Sequence, residues 1–285
     1  MLTITPIGSC RIANPIRLGA KRYRYRVNSS RIYGYTHSSA EALQQIRYLK
    51  RAFAPIEAVR PLLMPNIDEA QNRRLLHAPS DLYFVEISSA KIAMVADTHV
   101  QWNHVARHFA AFLCDRERAR KFWALASGET EEEKRRFLSA SRVFRRLSAT
   151  DRWLLQNMTL RHCDAAWLHR DIGEIVELLP RCVFVTHCNA AMANGERIPS
   201  RAAFISVLRW VLEDLGAEYF DPTEEMERFG QARALKDERG SLSHYAPEFE
   251  NRLLEIWNER YFERFAKPQR GRKARHAGAV LAGAV

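Results

Sequence analysis

Near the start of the chain a serine stands between a glycine and a cysteine, Gly8-Ser9-Cys10, directly after the apolar, β-branched run of residues 2–7. That run reads as a buried strand. A serine on the turn between such a strand and a helix exposes its hydroxyl, and the backbone N–H groups beside it can hold an oxyanion. The hydroxyl becomes a useful nucleophile only when a base in hydrogen-bond reach takes its proton. Ser243-His244, on a turn after the last predicted strand, offers one. Two further polar groups follow apolar runs: Ser88-Ser89 after residues 82–88, and Thr186-His187-Cys188-Asn189 after residues 182–187. Each has a plainer reading. Ser9 also suits a helix cap, Cys10 a packed thiol or a rival nucleophile, His244 an exposed turn, and residues 186–189 structural hydrogen bonding.

The elements that must position these groups alternate. After the first strand, apolar residues at 42, 43, 46 and 49 predict a helix capped by Ser38 or Ser39. The runs 82–88 and 182–187 have the near-continuous apolar character of strands buried on both faces of a parallel sheet. A helix at about 200–215, a strand at 217–220 closed by Asp221-Pro222, and a last helix at about 247–265 complete a doubly wound α/β pattern. In such sheets sites form at the carboxyl ends of the strands, where all four polar groups fall. Residues 98–178 show amphipathic stretches rich in Trp, Arg and Glu and no convincing strand, and predict a helical insertion. Its tryptophans read as packing residues rather than a sugar platform. The expected organisation is one α/β domain over 1–266 and a basic, disordered tail over 267–285.

The 285 residues carry a net charge of +11, but the tail holds five unopposed cations, Lys267, Arg270, Arg272, Lys273 and Arg275. A second basic group, including Arg17, Lys21, Arg22 and Arg31, is interleaved with Tyr23 and Tyr25 and reads as a solvated ribbon or an anion-recruiting surface. Nucleic acid is a disfavoured partner. The five scattered cysteines form no C-x-x-C pair, which suits reduced thiols in a cytoplasmic protein. Neither a signal peptide nor a membrane span is expected. Nucleotide loops, G-x-S-x-G and H-E-x-x-H are absent. His104 and His108, four apart with His99 nearby, have no fixed carboxylate partner in sequence and read as a solvated face rather than metal ligands.

Gly8-Ser9-Cys10, together with Ser241 to His244 and the Tyr245-Ala246-Pro247-Glu248-Phe249 that follows, resembles the first and last blocks of the SGNH (GDSL-type) hydrolase superfamily, in particular its G-S-C branch of GSCFA-like and polysaccharide-biosynthesis relatives. The segment from Arg31 to Ser39, with Gly34 and His37, and the strand end Val85 to Ser89 would occupy the middle blocks. The resemblance implies a three-layer α/β/α fold with a mostly parallel sheet, a Ser9 nucleophile, a His244 base, and ester hydrolysis or acyl transfer to a carbohydrate or small polar metabolite. No cofactor is required on this reading, and acyl-CoA is the candidate acyl donor. The sequence departs from the family in two places. No G-x-N-D block exists, so Ser88 and Ser89 stand in its place and Ser89, His37 or Asn189 are the candidate third oxyanion donors. The acid three residues before the histidine is Ser241 here, leaving Asp237 to orient His244, a Ser-His dyad, or a site that no longer turns over. The alternatives are a non-catalytic protein of the same fold that binds an anionic glycan or cofactor, and a nucleic-acid-binding protein.

Overall fold

The computed structural model describes residues 1–65, 67–68, 74–128, 130–236 and 242–266. The strands are β1 (Thr3–Ile7), β2 (Arg26–Val27), β3 (Leu82–Ile87), β4 (Lys91–Val95), β5 (Thr98–Val100), β6 (Met158–His162), β7 (Cys182–Thr186) and β8 (Tyr219–Phe220). They form a parallel sheet of order β2-β1-β3-β7-β8 and a separate sheet of order β5-β4-β6. β1 aligns with β3 from Ile4 opposite Leu82 to Ile7 opposite Val85, and β3 with β7 up to Ile87 opposite Thr186. These registers bring the residues after all three strands to one edge.

Both faces of the parallel sheet are covered because side chains alternate along each strand. Ile4, Phe84, Val183 and Val185 face one core, with Ile12 and Ile16 of helix α1 (Cys10–Arg22) and Leu253 and Trp257 of the helix Pro247–Trp257. Ile7, Tyr83, Val85 and Phe184 face the other, with Leu43 and Ile46 of helix α2 (Ser39–Leu49) and residues of the helices Ala165–Leu178 and Pro199–Asp214. This is the expected three-layer α/β/α arrangement. Burying each such aliphatic or aromatic side chain contributes about 1.5–3 kcal/mol. Ser38 caps α2 by accepting the Glu41 amide, one of the two caps anticipated.

The interval 98–178 differs from expectation. β5 and β6 lie in it and pair antiparallel with β4, so the insertion starts at Lys91 and is built on a sheet. These strands escape a periodicity reading because β5 has three residues and β6 buries only Met158 and Leu160. The short helices from Trp102–His108 to Ala149–Gln156 pack on this sheet around Val95, Phe112, Phe122 and Leu138. Trp102 stacks on Trp123 with ring centroids 3.9 Å apart. The helix Ala165–Leu178, expected within the insertion, instead covers the main sheet.

The basic ribbon also divides. Arg17, Lys21 and Arg22 lie on the exposed side of α1, whereas Tyr25 is buried and donates its hydroxyl to the Ile16 carbonyl at 2.5 Å. Arg31 is buried too, donating to the Tyr48 carbonyl at 2.9 Å with its guanidinium over the Tyr48 ring. No helix among the described residues is long and apolar enough to cross a membrane. The tail 267–285 lies outside the described residues.

Candidate active site

The turn after β1 is shaped by close approach. A Cβ at Gly8 would fall 2.5 Å from Glu86 Cβ and 2.8 Å from Ile12 Cδ1, so β3 and α1 come together only across a glycine. Ser9 then caps α1, its Oγ accepting the Arg11 amide at 3.2 Å. Its own amide donates to Glu86 Oε2 at 2.7 Å. Glu86 is the one acid in the apolar run of β3 and is buried; its other oxygen takes Arg11 Nε at 2.5 Å. Such a pair is tolerated in a low dielectric only when well hydrogen-bonded, and this one is. Arg11 Nη1 also lies 3.1 Å from His187 Nε2 and donates to the Ser243 carbonyl at 3.2 Å. One guanidinium therefore ties the Ser9 turn, the β3 carboxylate, the loop after β7 and the loop that carries His244. Arg201 repeats the clamp, donating to the Leu242 carbonyl at 2.9 Å and the Cys188 carbonyl at 3.2 Å.

Above this network lies a cleft of about 480 Å³, lined among others by Arg11, His37, Ser88, Lys91, His187 and His244. Its far wall is Trp102 and Asn103 of the insertion. The loop before α2 is stitched in place by the Thr36 amide on the Gly8 carbonyl and by the Ser88 and Ser89 amides on the His37 carbonyl, at 3.3, 2.7 and 3.0 Å. Beneath it Glu41 is buried and accepts the His37 amide at 2.8 Å. Burial pushes its carboxyl up to about 8, against the opposing hydrogen bonds from His37 and Ser38.

The hydrogen bonds fix the states of two of the three histidines. Gln101 Oε1 accepts the His104 amide at 2.9 Å, which turns its NH₂ toward His37 Nε2 at 3.1 Å. His37 Nε2 is then the acceptor and Nδ1–H faces Ser88 Oγ at 3.4 Å. His187 Nδ1–H donates to the Cys188 carbonyl at 2.7 Å while Nε2 accepts from Arg11. Burial pulls the pKa of both below the ordinary histidine value, that of His187 strongly, with Arg11 adding to the effect. Both are neutral, and neither ring has a nitrogen left to take a proton from a serine. His244 is the exposed histidine of the three.

Of the residues predicted from sequence, His37, Ser88, Ser89, His187 and His244 line this cleft. Ser9 lies beneath it, 3% exposed. The expected oxyanion role of the Ser9 amide does not hold, since that N–H is committed to Glu86. The Ser89 amide is likewise taken by His37. Gly34 has room for a Cβ and lines a separate pocket with Tyr33, Tyr35 and His104. Asn189 faces away, into a cleft beside the helix Pro199–Asp214. Asp237 and Ser241 lie outside the described residues. Burial raises the Cys10 thiol pKa, which counts against a thiolate nucleophile. His104 and His108 diverge, to the Leu62 carbonyl and to Asp151, and no cluster suited to a metal occurs among the described residues. Sequence reasoning missed Arg11, Arg201 and Glu41. A lone acid inside a buried strand, Glu86, was the signal that a cation must lie nearby.

Comparison with known proteins places residues 2–260 in register with the TviD N-terminal domain. The Vi polysaccharide biosynthesis protein TviD of Salmonella typhi is 35% identical over 257 residues, covering 89% of this chain and 31% of the relative. The chain thus spans about a third of that protein's length. Two solved structures align over 90% of the chain, each with a TM-score of 0.39. One is LAE5, an alpha/beta hydrolase enzyme from the metagenome of Lake Arreo, Spain, covered over 94% of its length at 13% identity. The other is a single-substitution variant of Axe2, an acetyl xylan esterase from Geobacillus stearothermophilus, covered over 93% at 12% identity. Likeness at that level carries no argument about activity.

Proposed function

The chain belongs to the TviD N-terminal domain family, and from that premise we propose that it is an SGNH-like serine enzyme, an esterase or O-acyltransferase, acting on a carbohydrate in polysaccharide biosynthesis. The observation that carries this reading is the Arg11 clamp, which holds the Ser9 turn and the His244 loop at one sheet edge under a polar cleft. The TviD relative's role in polysaccharide biosynthesis supports the glycan substrate.

In this mechanism Ser9 Oγ attacks the acyl carbonyl as His244 takes its proton. The oxyanion is held by the Arg11 guanidinium and His37 Nδ1–H, which replace the committed Ser9 amide. His244 returns the proton to the departing group. It then deprotonates a sugar hydroxyl or water, which breaks the acyl-serine ester and regenerates Ser9. Asp237 is the proposed orienting carboxylate for His244, and acyl-CoA the proposed donor for the transfer direction. Because Ser9 lies under the cleft floor, the reaction needs the Arg11 side chain or the 242–244 loop to yield as substrate enters.

The test is labelling with a serine-directed fluorophosphonate, read by intact mass and peptide mapping. One adduct on Ser9, absent in Ser9→Ala and strongly reduced in His244→Ala, is expected. Ester turnover should fall about a thousandfold or more in Ser9→Ala. Turnover that survives Ser9→Ala, or an adduct mapped to Ser88, would overturn the assignment.

A further inference from the structure

Asn189, two residues beyond His187, turns from the His244 cleft into a second one of about 670 Å³, between the helix Pro199–Asp214 and the segment after β8. Its amide is held by Thr223 Oγ1 at 3.0 Å. The residue is only 6% exposed, yet its side-chain Oδ1 has no hydrogen-bond partner. Leaving a buried carbonyl oxygen unpaired costs about 1–3 kcal/mol, and a ligand hydroxyl that reaches Oδ1 as the cleft wall gives way supplies the missing donor. Trp210, 57% exposed, also lines the cleft.

The charges around these two residues select the ligand. Four carboxylates, Glu213, Asp221, Glu224 and Glu227, and two cations, Arg197 and Arg209, line the cleft. Each carboxylate is engaged: Glu227 with Arg197, Asp221 with Arg209, Glu224 with Arg228, and Glu213 by the Tyr219 hydroxyl. Paired carboxylates offer spare lone pairs to hydroxyl donors without forming a cation trap, and they repel phosphate. An aromatic plane beside fixed hydrogen-bonding groups of both kinds suits the apolar face and hydroxyl edge of a sugar ring.

We propose that this cleft is a glycan subsite, in which Trp210 stacks on a glycosyl residue and Asn189 and the paired carboxylates bind its hydroxyls. The inference deepens the function proposed above and rests on it for the reaction, but not for binding.

Isothermal titration of the full chain with two uncharged oligosaccharides, a tetrameric N-acetylhexosamine and a tetrameric neutral hexose, tests it. Saturable binding of at least one oligosaccharide is expected, unchanged in Ser9→Ala and about tenfold weaker in Trp210→Ala, a loss of about 1.4 kcal/mol. Trp210 is exposed and its variant should fold. Glu213→Gln provides a second, milder probe of the same wall. Binding of neither oligosaccharide, or binding indifferent to both Trp210→Ala and Glu213→Gln, overturns the proposal. Intact binding with no Ser9-dependent turnover would retain the subsite and sink the catalytic reading instead.

Discussion

Two buried cations serve different ends in this molecule. Arg11 sits under the candidate cleft, faces a carboxylate that is 1% exposed, and reaches two further chain segments with its remaining donors, at His187 and Ser243. Lys134, in the insertion, is as deeply buried, but its partner Glu131 is half exposed and its other bond runs to the Met158 carbonyl of β6. Removing Lys134 strands no buried charge, because Glu131 turns to water. Removing Arg11 strands Glu86. The difference separates a cation that fastens one helix to one strand from a cation around which a site is assembled.

Arg11→Met should show the largest effect, a loss of about 3–5 kcal/mol in urea unfolding together with loss of ester turnover. Adding Glu86→Leu removes the stranded carboxylate and should recover most of that stability but none of the activity, since Ser243 and His187 still lack their donor. Recovery of both would mean that Arg11 acts only as a countercharge. An intermediate effect is expected for Glu41→Gln, read as melting temperature against pH. The Glu41 carboxyl rises from 4.5 to about 8 on folding. Its contribution is complete below pH 4.5, declines as the unfolded chain gives up a proton that the folded one keeps, and is gone above about pH 8. The variant should lose that decline. Acid loss below about pH 6.5 should persist in it, because His187 is depressed from 6.5 and refuses the proton that the unfolded chain accepts. A Glu41→Gln profile parallel to wild type would show that the carboxyl is charged in the fold. Smallest of all, Lys134→Met should cost about 1 kcal/mol and leave turnover unchanged; a loss as large as that of Arg11→Met would erase the distinction.

The strands that built the site were legible because burial on both sheet faces leaves unbroken apolar runs, as in residues 82–87 and 182–186. Position at a strand end then led to His187, Ser88 and the Ser9 turn. What stayed hidden depended on contacts distant in sequence. Nothing in the local pattern shows that Arg11 meets Ser243, or that Asn189 turns away from His187 into another cleft. The small sheet was missed because its strands are short and draw their stability from pairing across residues 91–162. Of the two roles that the sequence left open for Ser9, the fold displays the cap: its Oγ accepts the Arg11 amide and is held at the sheet edge, 3% exposed beneath the cleft.

That small sheet bears on how the chain finds its fold. Pairing β3 with β7 joins Ile87 to Thr186, a contact whose closure entropy delays it in an unstructured chain. The β4–β6 pair sets Lys91 opposite His162 and draws the two ends of the intervening segment together. Once the insertion has zipped on its own core, only residues 88–90 and 163–181 separate β3 from β7. The insertion thus acts as a tether that shortens the search for the central pairing, and replacing it with a flexible linker of equal length should slow refolding even where the final sheet still forms.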